Sequence, residues 1–585
     1  MKELNYLVKF FLKYKFRFIL GIFFIFLSNI FGLYPPIFIG NSFDLIIEKF
    51  NSDEVISNSD KKEIVHNLLK YSLFVFLFAV GKGFFMFLMR QTIIVMSRLI
   101  EFDIKNEIYK HYQSLNVDFY KKNRTGDIMN RVSEDVSKVR MFIGPAILYS
   151  SNLIISISLI IPVMYKINPK LTFYILSPLP ILVFTIYKVS NLMNKRSEVV
   201  QRQLSVISNI SQESFSGIKI IKSFNNENFI KNKFQEQSNI YMEKNLSLVR
   251  VNALFFPLMI LLIGTSSILT IYIGGIETIN GNISIGNIAT FLIFVNMLTW
   301  PVASLGWVTA IVQRAAASQK RINEFLYEKS FLKNSEKNYE FEFKKIKFED
   351  VSYEYNETKI KAIKNINFEL KKGNILGIIG KVGSGKSTLV DLIPRIIEPS
   401  KGHIFINNHD IKSINLNSLR NDIGYVTQDS FLFSDTIYNN ITFGIDKIDQ
   451  KKFNTVTKLT NVENFVKKFK YGYETLIGER GVTLSGGQKQ RISIARAMIK
   501  NPKILILDDC FSSVDSKTEK TILKNIIKHK KNQSIIIISQ RTATLKYSDN
   551  IIVLENGKIV ENGKHDLLIT KNKFYSNIHK SQTIS

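Results

Sequence analysis

Six stretches of this sequence are apolar for long enough to cross a bilayer. Between Phe18 and Phe43 no residue carries a charge, and a helix of about 18 or more such residues reaches across roughly 30 Å of hydrocarbon. Tyr71–Met89 (interrupted only by Lys82), Met141–Tyr165, Leu171–Tyr187, Val251–Ile276 and Ile288–Val312 repeat the pattern. They predict an all-α, six-helix transmembrane domain over residues 1–325. Lys9, Lys13, Lys15 and Arg17 ahead of the first run raise the alternative of a signal peptide, but the run is too long for one and has no A-x-A-like cleavage site.

The links between spans differ in length. Lys166–Lys170 and Glu277–Asn287 are short, whereas Met89–Arg140 and Lys188–Arg250 are long, with a helical pattern that continues well beyond the bilayer. Lys188–Arg250 holds ten Lys/Arg against five Glu, and Asp44–Lys70 holds four Lys against six Asp/Glu. Basic loops stay in the cytosol, so the N-terminus and the long links are expected inside. Lys82 would cost a few kcal/mol facing lipid and is expected to snorkel or to face a cavity.

A polar connector is expected over 326–342, and from 343 to 585 short apolar runs alternate with helical ones. Ile375–Ile379 reads as a strand, and Gly380-Lys381-Val382-Gly383-Ser384-Gly385-Lys386-Ser387 follows it at once, with a helical run through Thr388 to Ile393. This is G-x-x-x-x-G-K-[ST] in the strand–loop–helix setting it requires. Glycines let backbone N–H groups close around phosphate oxygens, Lys386 neutralises β/γ charge, and the Ser387 hydroxyl reaches Mg2+. A second apolar run, Ile504–Leu507, ends in Asp508, placed to hold Mg2+ at the carboxyl edge of a parallel sheet. The expected fold of this half is an α/β P-loop nucleotide-binding domain with a mostly parallel sheet, and its expected cofactors are ATP and Mg2+.

Composition suits such a chimera: 45% hydrophobic residues is high for a soluble protein and 22% charged residues is high for a purely membrane one. The net charge of +29 could suggest nucleic acid. Basic residues also gather on cytoplasmic membrane loops, so membrane lipid and no nucleic acid is the expected partner. The only cysteine, Cys510, rules out an intramolecular disulfide and reads as a small core residue.

Between the P-loop and Asp508 lies Leu484-Ser485-Gly486-Gly487-Gln488, opening a helical run. This pentapeptide resembles the signature of ATP-binding-cassette exporters, and the likeness extends over nearly the whole chain. Phe119-Tyr120, Arg124 to Ile128, Arg131 and Asp135 to Arg140 are similar to that family's first cytosolic loop, and Glu213, Gly217 to Lys219, Lys222 to Phe224 and Glu227 to its second. The resemblance implies short coupling helices near Asn116–Lys122 and Ser216–Phe224. It further implies that Tyr355 stacks on adenine, that Gln428 meets Mg2+ beside Ser387 and Asp508, and that Ser512 to Asp515 and Thr475 to Gly481 make inter-subunit contacts. It implies head-to-tail pairing, each ATP lying between one chain's P-loop and the other's signature, in a multi-pass protein of the inner or plasma membrane.

Two positions depart from the family's pattern. Asp509 stands where a catalytic Glu follows the Walker-B Asp, and Gln540, in Ser539-Gln540-Arg541 after the strand Ile535–Ile538, stands where a switch histidine would contact the γ-phosphate. A shorter carboxylate is a misplaced base, and a glutamine cannot become cationic. With an intact signature, these departures point to the hydrolysis-impaired half of a heterodimer that exports an amphipathic or hydrophobic drug, lipid or peptide. The alternatives are a homodimer using Asp509 as a slow base, and an ATP-gated regulatory membrane subunit that transports nothing.

Overall fold

The computed structural model describes residues 2–50, 58–329, 342–445, 447–478, 481 and 483–584. Most of the connector expected at 326–342 therefore lies outside the described residues. The chain forms two compact units, Met1–Ser114 with Asn123–Glu328, and Leu115–Lys122 with Lys329–Ser585.

The first unit is helical throughout. Its elements, with one short helix of the second unit between them, are α1 (Lys15–Phe50), α2 (Asn58–Ser114), α3 (Val117–Lys122, second unit), α4 (Thr125–Ile167), α5 (Pro169–Leu176), α6 (Pro178–Ser216), α7 (Ile218–Ser223), α8 (Glu227–Ile279) and α9 (Ile285–Leu326). Six membrane-crossing helices result, one each from α1, α2, α4, α8 and α9 and one from α5 with α6. The fourth pauses at Ser177 because Pro178 offers no N–H to the ladder. Helix α2 has 57 residues, which at 1.5 Å per residue makes about 85 Å, far more than a bilayer needs. The long sequence links are thus continuations of the spans themselves. Helices α3 and α7 fall where the coupling helices were expected.

Several polar groups within the bundle are paired across helices. The Asn29 side-chain amide donates to Asn152 Oδ1 at 2.9 Å, and the Ser156 hydroxyl donates to Asn29 Oδ1. Near the start of α9, Asp44 of α1 accepts from the Gly286 N–H at 2.7 Å and the Ser284 hydroxyl at 2.6 Å. It thereby satisfies donors that a helix start leaves open. Gly286 is obligatory here, since a Cβ on it would stand 2.0 Å from the Gly40 carbonyl oxygen. Buried Asp135 accepts from Ser318 Oγ and Arg321 Nε, each at 2.9 Å, tying α4 to α9.

The second unit is a three-layer α/β domain. Its elements include β1 (Lys345–Glu354), β2 (Lys361–Lys371), β3 (Ile375–Gly380), α10 (Lys386–Asp391), β4 (Lys401–Ile406), β5 (His409–Asp410), β6 (Ile423–Val426), α11 (Gly486–Ile499), β7 (Ile504–Asp508), α12 (Ser516–His529), β8 (Ser534–Ile538), β9 (Asn550–Glu555), β10 (Lys558–Gly563) and α13 (Phe574–Ile584). The main sheet has the order β10-β9-β3-β8-β7-β6 and is parallel except for the β9–β10 hairpin. A smaller antiparallel sheet has the order β2-β1-β4-β5. Strands β3, β7 and β8 are buried along their whole length, as strands covered on both faces are. Successive side chains alternate between two cores. Ile378, Ile506 and Ile536 join the core that includes the small sheet, and Ile379, Leu507 and Ile537 the one that includes α11, α12 and α13. Cys510 is fully buried in the latter, a core residue as expected.

The glycine contact in the membrane unit yields a paired test. Gly286→Ala should destabilise by about 1–3 kcal/mol through overpacking, seen as a lower melting temperature in lipid, whereas Gly275→Ala, where an added Cβ meets nothing within 4 Å, should not lower it, since alanine is the better helix former.

Candidate functional site

Three strands of the main sheet end side by side. Ile378 of β3 and Asp508 of β7 both pair with Ile538 of β8, so the loop after Gly380, the carboxyl of Asp508 and the Ser539–Arg541 segment leave one edge together. They enclose a cleft of about 490 Å³ lined by Tyr355, Lys386, Ser387, Thr388, Gln428, Asp508, Asp509 and Gln540, with Ala362 and Asn556-Gly557 on its rim.

The loop from Gly380 winds tightly into α10. Gly385 adopts φ +97°, and a Cβ there would lie 2.4 Å from the Ala362 carbonyl oxygen, so only glycine fits. Lys386 Nζ donates to the carbonyls of Gly380 (2.9 Å) and Lys381 (2.8 Å), which folds its ammonium into the loop. Burial pulls its pKa down, against the charges of Asp509 and Asp508. Burial pushes the Asp508 carboxyl up to about 6, although the Ser387 hydroxyl donates to it. A buried carboxyl beside a hydroxyl, both oxygen donors, fits a small hard cation whose charge would offset the cost of burying the carboxylate. The Ser384 hydroxyl is buried without a hydrogen-bond partner among the described residues.

Asp509 has φ +43°, and its N–H donates to the Ile538 carbonyl at 3.0 Å. Burial raises its carboxyl pKa, opposed by Lys386 and Arg541. Also lining the cleft, Tyr355 pairs through its hydroxyl with Thr388 Oγ1 at 2.9 Å. Lys121 of α3, part of the same unit, lies 5.6 Å from the centre of the Tyr355 ring, and Lys122 pairs with Glu357 at 3.1 Å.

Some expected residues stand elsewhere. Val382, Gly383 and Gly385 line the cleft, but Lys381 points to Glu555 at 3.3 Å, while Gly380 contributes its carbonyl to Lys386. The signature segment lies outside this cleft: Leu484 is buried in a separate apolar cluster and Ser485 caps α11. The Ser485 N–H donates to Gln488 Oε1 at 2.9 Å, and Ser485 Oγ accepts from the Gln488 N–H at 3.4 Å, a capping box at the start of the helix, where Gly486 is exposed and Gly487 half-buried against Ser513. Gln490 of the same helix holds Ser512 Oγ and the Ser513 N–H, each at 3.0 Å. In the contact loop expected over Thr475–Gly481, residues 479 and 480 lie outside the described residues.

Sequence reasoning missed Lys121, Ala362 and the Asn556-Gly557 turn. The last had a signal, since Asn-Gly between two apolar runs marks a two-residue hairpin, and both residues have positive φ here. The others come from distant segments and left none.

The membrane unit holds a cavity of its own, about 560 Å³, whose walls include Tyr149, Phe255, Met259, Trp300, Trp307 and Arg314. Lys82 is not among its lining residues and lies exposed along α1 beside Gly32.

Comparison with known proteins agrees with this architecture. The ABC transporter transmembrane region family matches residues 18–302, and the ABC transporter family matches residues 363–512. The chain is 34% identical over 589 residues to the multidrug resistance-like ATP-binding protein MdlA of Buchnera aphidicola subsp. Baizongia pistaciae, covering 100% of each. It is 30% identical over 577 residues to the probable multidrug resistance ABC transporter ATP-binding/permease protein YheI of Bacillus subtilis, covering 98% of this chain and 97% of that one. In fold it is similar to a bacterial Atm1-family ABC exporter with ATP bound, with a TM-score of 0.79 over 97% of this chain and 99% of the other at 21% identity. Likeness that runs through the membrane half as well as the ATP-binding half makes this chain a member of the ABC transporter family, a multi-pass membrane protein whose cytoplasmic ATP-binding domain couples ATP hydrolysis to transport.

Proposed function

We propose that this chain is the hydrolysis-impaired half of a heterodimeric exporter of amphipathic or hydrophobic molecules. The observation that carries the reading is the company kept in one cleft. Lys386, Ser387 and Asp508, suited to phosphate and cation, share it with Asp509 and Gln540, which replace the Glu and His that the family's pattern requires.

In this reading Tyr355 stacks on adenine, and the backbone of Gly380 to Thr388 cradles the phosphates. Lys386 exchanges its bonds to the Gly380 and Lys381 carbonyls for β/γ oxygens. Ser387, Asp508 and Gln428 hold Mg2+, which when bound offsets the phosphate charge. The Asp509 carboxylate stops about 1.5 Å short of where a glutamate would end, and a lost general base costs about 10²–10⁴-fold in rate. Gln540 hydrogen-bonds but brings no charge to a developing anion. ATP therefore stays at this site and holds the dimer. Gly486 and Gly487, at a helix start outside this chain's own cleft, serve the P-loop of a partner that carries the Glu and His, and turnover there drives the change of access.

The relatives named for multidrug resistance support an amphipathic substrate. So does the membrane cavity, whose volume falls in the range of small-molecule sites and whose aromatic wall carries one guanidinium.

Three measurements test this. In lipid, the chain alone should hydrolyse ATP at least about tenfold more slowly than its complex with the partner, given the missing base. Brisk turnover by the lone chain, abolished by Asp509→Asn, would replace the heterodimer with a homodimer. Lys386→Ala should weaken binding of a fluorescent ATP analogue about tenfold or more, the worth of a charge-assisted hydrogen bond. Finally, Trp300 and Trp307 are the only two tryptophans in the chain and both line the cavity. An amphipathic dye exported by the complex should quench the intrinsic fluorescence of this chain, and no quenching would place the substrate elsewhere.

A further inference from the structure

The segment carrying Gln540 is fastened from behind by a helix distant in sequence. Gln582 of α13 donates from Nε2 to the Gln540 carbonyl at 2.8 Å, while its Oε1 accepts from the Thr542 N–H at 2.9 Å and the Thr542 hydroxyl at 3.0 Å. The amide has only one workable orientation. Turned over, its NH2 would face an N–H and its oxygen a carbonyl, two repulsive pairs. One side chain thus clasps the backbone on both sides of Arg541, as a neighbouring strand would.

The clasp has support at each end. Thr542 Oγ1 also lies 3.0 Å from His579 Nδ1. The hydroxyl has a single proton, engaged with Gln582, so His579 donates from Nδ1. Helix α13 is itself held in place: Tyr575 is fully buried, its hydroxyl is 2.6 Å from His565 Nδ1, and its N–H donates to Glu561 Oε1 at 3.2 Å. From the other side, the Arg541 guanidinium bonds buried Glu519.

We propose that Gln582, supported by His579, is a positioning residue that sets how far Gln540 reaches toward the terminal phosphate of a nucleotide in the cleft. This rests on Gln540 being the phosphate-sensing position. A cation attracts phosphate over several ångströms, but a neutral amide contributes only through a hydrogen bond of correct length and angle, which weakens steeply off axis. A glutamine at this position therefore depends on a fixed backbone more than a charged residue would. Gln582 supplies that fixity through the Gln540 carbonyl itself.

The test uses the full chain in lipid and compares binding of Mg2+ complexes of AMP-PNP and ADP, which differ in the terminal phosphate group. Gln582→Ala should weaken AMP-PNP about three- to tenfold, the range of one hydrogen bond, and leave ADP within about twofold, so that ADP also reports an intact fold. Gln582→Glu, similar in volume but without the donor, should lose as much. Gln540→Ala should show the same selective loss, and the double variant should lose no more than either single one, as expected of residues acting through one contact. Equal weakening of both nucleotides, no weakening of either, or additive losses would overturn the proposal. If Gln540→Ala binds AMP-PNP normally, the phosphate-sensing assignment fails and the clasp with it. If Gln540→Ala is selective and Gln582→Ala is not, the clasp alone is wrong.

Discussion

The ATP-binding half depends on the register of three parallel strands. Because Ile378 and Asp508 both face Ile538, the glycine-rich loop after Gly380, the buried carboxyl and the Ser539–Arg541 segment emerge together. A slip of one residue in β7 would turn Asp508 to the opposite face of the sheet and send every isoleucine and leucine of the strand to the wrong core. The two apolar cores, which take alternate residues of each strand, make that slip prohibitive. Burial of side chains that never touch a nucleotide thus fixes the relative places of Lys386, Asp508 and Gln540.

In the membrane half the dominant constraint is the satisfaction of polar groups where water is absent. Helices meet that need for the backbone, and several side chains meet it across helices, as do Asn29 with Asn152 and Ser156, and Asp44 at the start of α9. These contacts specify which helices lie together, since lipid gives apolar faces little reason to prefer one another.

What could be read in the sequence follows from these two constraints. The spans were legible because hydrocarbon thickness imposes a minimum run of uncharged residues, and the P-loop because phosphate cradling demands glycines and a lysine at fixed spacing. Asp508 was legible as the polar end of the apolar β7. Residues that meet only in three dimensions were not. Lys121 reaches Tyr355 across more than two hundred residues, and Gln582 reaches Gln540 from a helix whose sequence gives no hint of its target. Motif membership also did not tell which side of the loop a residue faces. Lys381 belongs to the P-loop string yet turns to Glu555, because a loop that wraps a phosphate shows the ligand its backbone and sends some side chains away.

The assignment of α3 to the second unit carries a practical consequence. A fragment beginning at residue 343 contains every strand of the ATP-binding domain but lacks Val117–Lys122, so Tyr355 loses the ammonium beside its ring and Glu357 loses its ion partner. The compact body that folds around the cleft is assembled from two separate stretches of the polypeptide. The corner of the cleft around Tyr355 is complete only when the residues between the second and third spans are present, so the domain cut free at the linker is a different object from the same domain in the intact chain.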